Sequence, residues 1–238
     1  MSVEMTEPRY GPGSSDLSRG RASSAPSGKA GEIAMELERR MMVGSYRFGE
    51  SLSITQLASQ FDASRQPVGM AISYLRNMGY VDVIPQVGCR VVSPSPAEIA
   101  DFFFAMSRIE GAVAAFAAAR HFGGEAATLQ TIAAREPPKA LETVDERLAY
   151  IRTLNDYHEQ IWRMARSETL ESRVGGLRQL SIFYLWQGAR TLAPVAAQQL
   201  VGERAAIAAA IGARDAGLAQ ALMETHIAHK PRVSGVVP

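Results

Sequence analysis

Arg65, Gln66, Ser73 and Arg76 are spaced so that they fall on one side of a short helix, where their donors suit phosphate oxygens and base edges. The other side is set by Val68, Ala71, Ile72, Leu75 and Met78, which recur at three and four and form a single apolar stripe. Ser64 stands where an N-cap belongs, and Pro67 in the first turn costs nothing because its missing N–H would have no helical partner. Gly79 closes the helix as a C-cap glycine. Bond-making chemistry is not indicated, since the chain offers no poised nucleophile, no Gly-rich phosphate loop and no paired-carboxylate motif.

The elements that must hold this helix are legible around it. Upstream, Ile54, Leu57, Ala58 and Phe61 form a matching stripe on a helix that Ser53 or Thr55 could start, and Asp62-Ala63 is a turn of the right length. Two short helices with facing stripes must pack on each other. Tyr80 to Ile84 alternates, Pro85 to Gly88 makes a turn and Cys89 to Val92 returns, which predicts a small hairpin. Together these give the outline of a DNA-reading helix-turn-helix with a β-hairpin wing. A further helix from about Gly31 to Val43 turns Ile33, Leu37, Met41 and Met42 inward.

Ser93-Pro94-Ser95-Pro96 marks a boundary, because prolines flanked by serines neither continue a strand nor sit inside a helix. Beyond it the chain is Ala-rich and helical in pattern, near 97–121, 124–135, 141–166, 169–190, 193–213 and 215–229. Breaks fall at Gly123-Gly124, Pro137-Pro138, Ser167, Gly188, Pro194 and Asp215. The fold expected is mainly α: a winged helix-turn-helix over 30–93, then a bundle of about six helices over 97–230 that can house a ligand between helices. Residues 1–29 are rich in Ser, Gly and Pro and read as a disordered tail. No apolar run near twenty residues argues for a membrane span.

The charge balance is the main argument against nucleic-acid binding: the whole chain carries a formal +1, and residues 30–93 hold six Lys/Arg against six Asp/Glu. Placement matters more than the sum. Glu32, Glu36 and Glu38 fall in the first helix, whereas Arg65, Arg76 and Arg90 fall in the reading helix and wing, so a local basic face survives. Two such faces in a symmetric dimer would reinforce each other by binding paired half-sites in one event. The single cysteine, Cys89, excludes an internal disulfide, fits a reducing cytoplasm and reads as a small hydrophobe of the wing.

With these residues in view, the first domain resembles the winged helix of GntR-type transcriptional regulators, and the chain from about 30 to 229 resembles their FadR branch, with its helical FCD effector domain. Ala63-Ser64-Arg65-Gln66-Pro67-Val68 is similar to the family's Val-Ser-Arg-Thr-Pro-Val, followed at the right distances by Leu75, Gly79, Pro85, Gly88 and Val91. The resemblance implies that Ser64 and Arg65 contact operator phosphates and base edges, with Gly88 at the wing tip entering the minor groove. Thr55, Gln66 and Arg76 complete the candidate DNA-binding set. The sequence departs from the family at Gly69-Met70, where Arg-Glu is usual.

For the bundle, the resemblance implies a divalent metal held by one aspartate and three histidines. His158 and His226 match two of these. Leu154 stands at the aspartate's offset, with Asn155 a weak substitute on the same face, and Arg204 replaces the third histidine. His158 and His226 are therefore an incomplete set for zinc or nickel, and no cofactor is required by the residues. The expected effector site comprises Arg108, Asn155, His158, Arg204 and His226, with Arg204 as the positive partner of a small carboxylate or, alternatively, paired with Glu203 or Asp156 at the surface. His229 could substitute as a ligand or simply complement a helix end. Trp162, Tyr184 and Trp186 read as packing residues, any of which could line the cavity.

The expectation is a homodimeric, cytoplasmic repressor, not an enzyme, that binds a palindromic operator in double-stranded DNA and responds to a small organic acid. The alternatives are an effector-independent DNA-binding regulator and a metal-dependent helical enzyme domain fused to a recognition module.

Overall fold

The computed structural model describes residues 25–84, 88–137, 141–187 and 194–237. Most of the expected tail lies outside these residues, and its last two positions belong to α1 (Gly28–Met42), whose Ile33, Leu37, Met41 and Met42 are buried as the spacing required. α2 (Ile54–Gln60) starts at Ser53, whose hydroxyl accepts the Gln56 amide at 3.3 Å, so Thr55 lies inside the helix rather than capping it. α3 (Arg65–Asn77) buries Val68, Ala71, Ile72 and Leu75 against α1 and α2. Gly79 follows with φ at +83°, a conformation that suits glycine, and the Tyr80 amide donates back to Leu75 O at 2.9 Å.

The wing is a three-stranded antiparallel sheet of order β1-β3-β2: β1 (Ser51–Leu52), β2 (Val81–Ile84) and β3 (Gly88–Val91). β1 was not foreseen, because two residues are too few to show an alternation. The turn residues 85–87 lie outside the described residues. Cys89 is buried, and its Sγ donates to Leu52 O at 3.0 Å.

Six helices follow: α4 (Pro96–Arg120), α5 (Glu125–Ala133), α6 (Val144–Ala165), α7 (Glu168–Leu185), α8 (Pro194–Gly212) and α9 (Ala216–Val233). Capping boxes start α4 at Ser95 with Glu98 and α6 at Thr143 with Glu146, each satisfying first-turn donors that a helix leaves bare. α4 is long and apolar enough to cross a membrane, at a mean hydropathy of 1.4, but it lies in the bundle and buries Phe103, Met106, Val113 and Ala117 against its neighbours. It approaches α9 tightly at Gly111, where an added Cβ would lie 2.5 Å from Glu224 Cγ. α9 continues to Val233, past the end expected near 229, with Pro231 inside its last turns, where the ring sacrifices only one backbone bond.

A large apolar core runs through both parts of the molecule, and a smaller cluster of Met42, Val43, Ile151 and Ile182 packs between them. α7 is the common wall. On one side it meets the winged domain: Phe183 lies 5.4 Å from the rings of Phe48 and Tyr80, and Leu180 touches the space beside Gly79. Just beyond α7, Gln187 accepts from the Phe48 amide and donates to Tyr46 O, both at 3.0 Å. Arg147, from the start of α6, ties the same seam by donating to Val43 O and Leu141 O at 2.8 Å and to Glu142 O at 3.0 Å, with its guanidinium 5.6 Å from the Trp186 ring centre.

Candidate nucleic-acid interface and effector cavity

The outward face of α3 carries Arg65, Gln66, Met70, Ser73 and Arg76, all exposed, so the packing of this protomer leaves the face free. Ser64 occupies the N-cap position with extended backbone, but its hydroxyl caps no amide of the helix. The hydroxyl and the bare first-turn N–H groups are then available to a phosphate, the arrangement by which helix N-termini hold anions. Among the described residues, neither Arg65 nor Arg76 enters a salt bridge, while Arg90 sits opposite Asp82 across the wing, 3.8 Å away. Thr55 is exposed on α2, and Gly88 opens β3, also exposed.

Gly69 interrupts this face without a packing reason, since a Cβ there would meet nothing within 4 Å. Gly69→Ala is therefore expected to stabilise the protein by about 1 kcal/mol through helix propensity alone, seen as a rise of roughly 2–4 °C in thermal unfolding. No change, or a fall, would mean that the position carries a constraint absent from the protomer.

The bundle holds a partly open cavity of ≈ 60 Å³, room for roughly four waters or a molecule of a few carbons. Its apolar wall comes from Tyr150, Leu154, Ile182, Leu185, Trp186 and Leu200. Its polar wall is unusual: Arg178, Arg204, Lys230 and His226 all line it, and all are buried. Behind them lies Glu110, fully buried, accepting from Trp162 Nε1 at 3.0 Å and 3.5 Å from His158 Nδ1.

Burial governs the ionisation of this group. Desolvation pushes Arg178 down to about 10, so it keeps its charge at neutral pH, and draws Lys230 well below the usual ammonium range, with Arg178 adding repulsion. The Glu110 carboxyl is pushed up by the same loss of water, against the attraction of Arg178 and Lys230. His226 and His158 are both held well below 6.5, by burial first and then by Lys230 and Arg178 respectively.

These histidines give a pH dependence whose sign is fixed. The unfolded chain protonates each ring as pH falls through about 6.5 while the folded chain does not, so stability is lost on acidification by up to about 1.4 kcal/mol per pH unit for each. Glu110, whose raised pKa acts in the opposite direction, is common to wild type and variant. Denaturant unfolding of His226→Asn should show a shallower loss between about pH 7 and about pH 5.5 than wild type. Parallel profiles would mean that His226 is charged in the fold.

The structure places the candidate effector residues unevenly. Arg204 and His226 line the cavity, and His158 stands beside it, its ring stacked over His226 with centroids 6.5 Å apart. Arg108 does not take part: it is exposed, paired with Glu224 and laid over the Phe104 ring, because two residues along a helix from Glu110 is more than half a turn away from the interior. Asn155 is half-buried and absent from the lining, where Leu154 stands instead. The surface pairing considered for Arg204 is also excluded, since Glu203 bonds His226 and Asp156 bonds Arg135, each at 2.7 Å. Arg204 itself is buried, donating from Nη2 to Arg135 O at 2.8 Å. Of the aromatic candidates, Trp186 lines the cavity, Trp162 serves Glu110, and Tyr184 packs on Phe48 and Phe102.

The donor chemistry does not fit the metal set that the resemblance implies. A divalent cation near His158 and His226 would meet Arg178, Arg204 and Lys230, all dry and close. Glu203, His226 and His229 do gather with donor atoms within 4.8 Å of one another. In that trio Glu203 Oε2 is hydrogen-bonded to His226 Nδ1 at 2.7 Å and lies 3.0 Å from His229 Nε2, which makes no hydrogen bond, and His226 faces Lys230.

Arg178, Lys230 and Glu110 escaped the reading of the sequence. A signal was present: Glu110 falls in register with Phe103, Met106, Val113 and Ala117, Arg178 with Val174 and Ile182, and Lys230 with Met223 and Ile227, all apolar stripe positions.

The pattern of the bacterial regulatory proteins of the gntR family matches residues 29–91, and that of the FCD domain matches residues 101–229. No curated protein matches the chain. Among solved structures, E. coli McbR/YncC is similar with a TM-score of 0.69 and 16% identity, over 88% of this chain and 98% of that one. A transcriptional regulator GntR from Rhodococcus sp. RHA1 gives 0.64 and 17%, over 87% and 98%. At such identities the likeness is one of fold. With more than half of its length matched by the FCD pattern and the winged helix matched in front of it, the chain belongs to the gntR family of bacterial regulatory proteins, in the branch that carries an FCD effector-binding domain.

Proposed function

We propose that this regulator is a cytoplasmic repressor that binds a palindromic operator as a homodimer, residues 30–93 reading DNA and residues 97–230 dimerising and binding a small organic acid that releases it. That it is a DNA-binding transcriptional regulator and not an enzyme follows from its family. The observation that carries the finer reading is the cavity with Arg204 on its wall and α7 between it and the winged domain. An anion entering there gains charge-assisted hydrogen bonds that only one arrangement of α7 offers, and this differential affinity is what shifts a two-state equilibrium. Dimerisation is supported by the charge balance, because a nearly neutral head needs a second half-site to bind well.

Fluorescence anisotropy with labelled duplex from upstream of the protein's own coding sequence tests the DNA arm. Arg65→Ala should weaken specific binding by about 1–3 kcal/mol, roughly 5- to 150-fold, with a much smaller effect on unrelated duplex. Unchanged specific affinity would remove Arg65 and the α3 face from the interface.

A further inference from the structure

We infer that the cavity takes a small organic dianion, of the α,ω-dicarboxylate class, held at its two acidic ends by Arg178, Arg204 and Lys230 and along its short carbon chain by Tyr150, Ile182 and Trp186. This rests on the effector reading above and narrows it. The donors are already in place. Arg178 leaves Nε and Nη2 buried with no hydrogen-bond partner, and these two atoms form one edge of the guanidinium, the edge that clasps a carboxylate with two parallel bonds. Arg204 leaves Nε and Nη1 in the same condition, while its Nη2 is spent on Arg135 O. Buried donors without acceptors are costly, and an acceptor supplied by a ligand removes that cost.

The unpartnered donors set the number of acidic groups. Two guanidinium groups, of Arg178 and Arg204, line the cavity with unpartnered N–H donors, Lys230 stands beside them, and Glu110 is the fully buried carboxylate facing them among the described residues. Glu203 approaches from the side of α8 but is engaged by His226, His229 and Gln199, and Glu159 attracts Arg178 from a half-buried position. A monocarboxylate satisfies the unpaired donors of one arginine and leaves those of the other dry, whereas a dicarboxylate satisfies both. The volume of ≈ 60 Å³ suits a short skeleton, and the apolar wall favours methylenes over hydroxyls.

Calorimetry and thermal shift on the full chain test this with α,ω-dicarboxylates of about three to six carbons, their chain-matched monocarboxylates and the matching diamines. At least one dicarboxylate should bind one per chain, about tenfold or more tighter than its monocarboxylate, with diamines silent. Arg178→Met should lose about tenfold or more of that affinity, and Arg178→Lys, which keeps the charge without the fork, should recover part. If monocarboxylates bind as well as dicarboxylates and release operator DNA, the dianion inference fails and the effector reading stands. If operator binding is intact but no acid of either series binds, both fail. Binding that is indifferent to Arg178→Met and to Arg204→Met would also overturn the inference.

Discussion

Glu110→Leu is expected to destabilise the protein by about 3–5 kcal/mol, the largest single loss foreseen in this fold. Glu110 is the counter-charge to two buried cations and the acceptor for Trp162, and all of these groups are out of water. Arg178, whose pKa stays near about 10, cannot escape the problem by losing its proton at neutral pH. Leucine fills the space but strands that charge and the Trp162 N–H together. Glu110→Gln separates the two contributions, since the amide oxygen still accepts from Trp162 and only the charge is lost. Urea unfolding should place the glutamine variant between wild type and leucine. A dicarboxylate that occupies the cavity should rescue both variants in part, because it brings the missing negative charge. If both variants unfold within about 1 kcal/mol of wild type, Glu110 is neutral in the native state and the cation cluster is balanced elsewhere.

Arg147→Met should cost about 3 kcal/mol and loosen the winged domain from the bundle. The guanidinium serves three backbone carbonyls, of Val43, Leu141 and Glu142, and lies against Trp186. Methionine keeps much of the packing volume but leaves these acceptors without donors, at about 1–3 kcal/mol for each one that stays dry. Arg147→Lys recovers little, because a point charge on a flexible stem cannot reach three divergent carbonyls. The distinguishing readout is local: limited proteolysis near Gly44 to Gly49 should accelerate while the bundle's own resistance is kept. A thermal midpoint within about 2 °C of wild type with unchanged proteolysis would show that the seam is held by the Phe183 cluster alone.

How much of this was legible depended on how local each signal is. The helix-turn-helix was readable because stripe, cap and turn all lie within about thirty residues, and each rule acts between neighbours. β1 was not, since Ser51-Leu52 owes its strand geometry to pairing with Cys89 and Arg90, far away in sequence. The six bundle helices were marked by their breaks, of which Pro138 and Gly188 lie outside the described residues, yet their inward charges were hidden. A buried arginine and a surface arginine are the same letter, and only the register of Arg178 with Val174 and Ile182 tells them apart. Arg108 shows the opposite failure. Resemblance placed it in the cavity, but a shift of two positions along α4 rotates a side chain about 200°, so that Glu110 points inward behind the cavity wall while Arg108 faces out.

A single helix separating two occupants has a corollary for measurement and for descent. Whatever free energy a bound acid withdraws from operator binding, the operator must withdraw from the acid, so affinity for the acid measured on free protein overstates what the DNA-bound form experiences. The residues of α7 also answer to two masters in alternation: Arg178 and Ile182 face the cavity, Leu180 and Phe183 face the winged domain. A lineage that retunes one side to a new metabolite therefore perturbs the other, and compensating changes are to be sought at Phe48, Met78 and Gly79 rather than around the cavity.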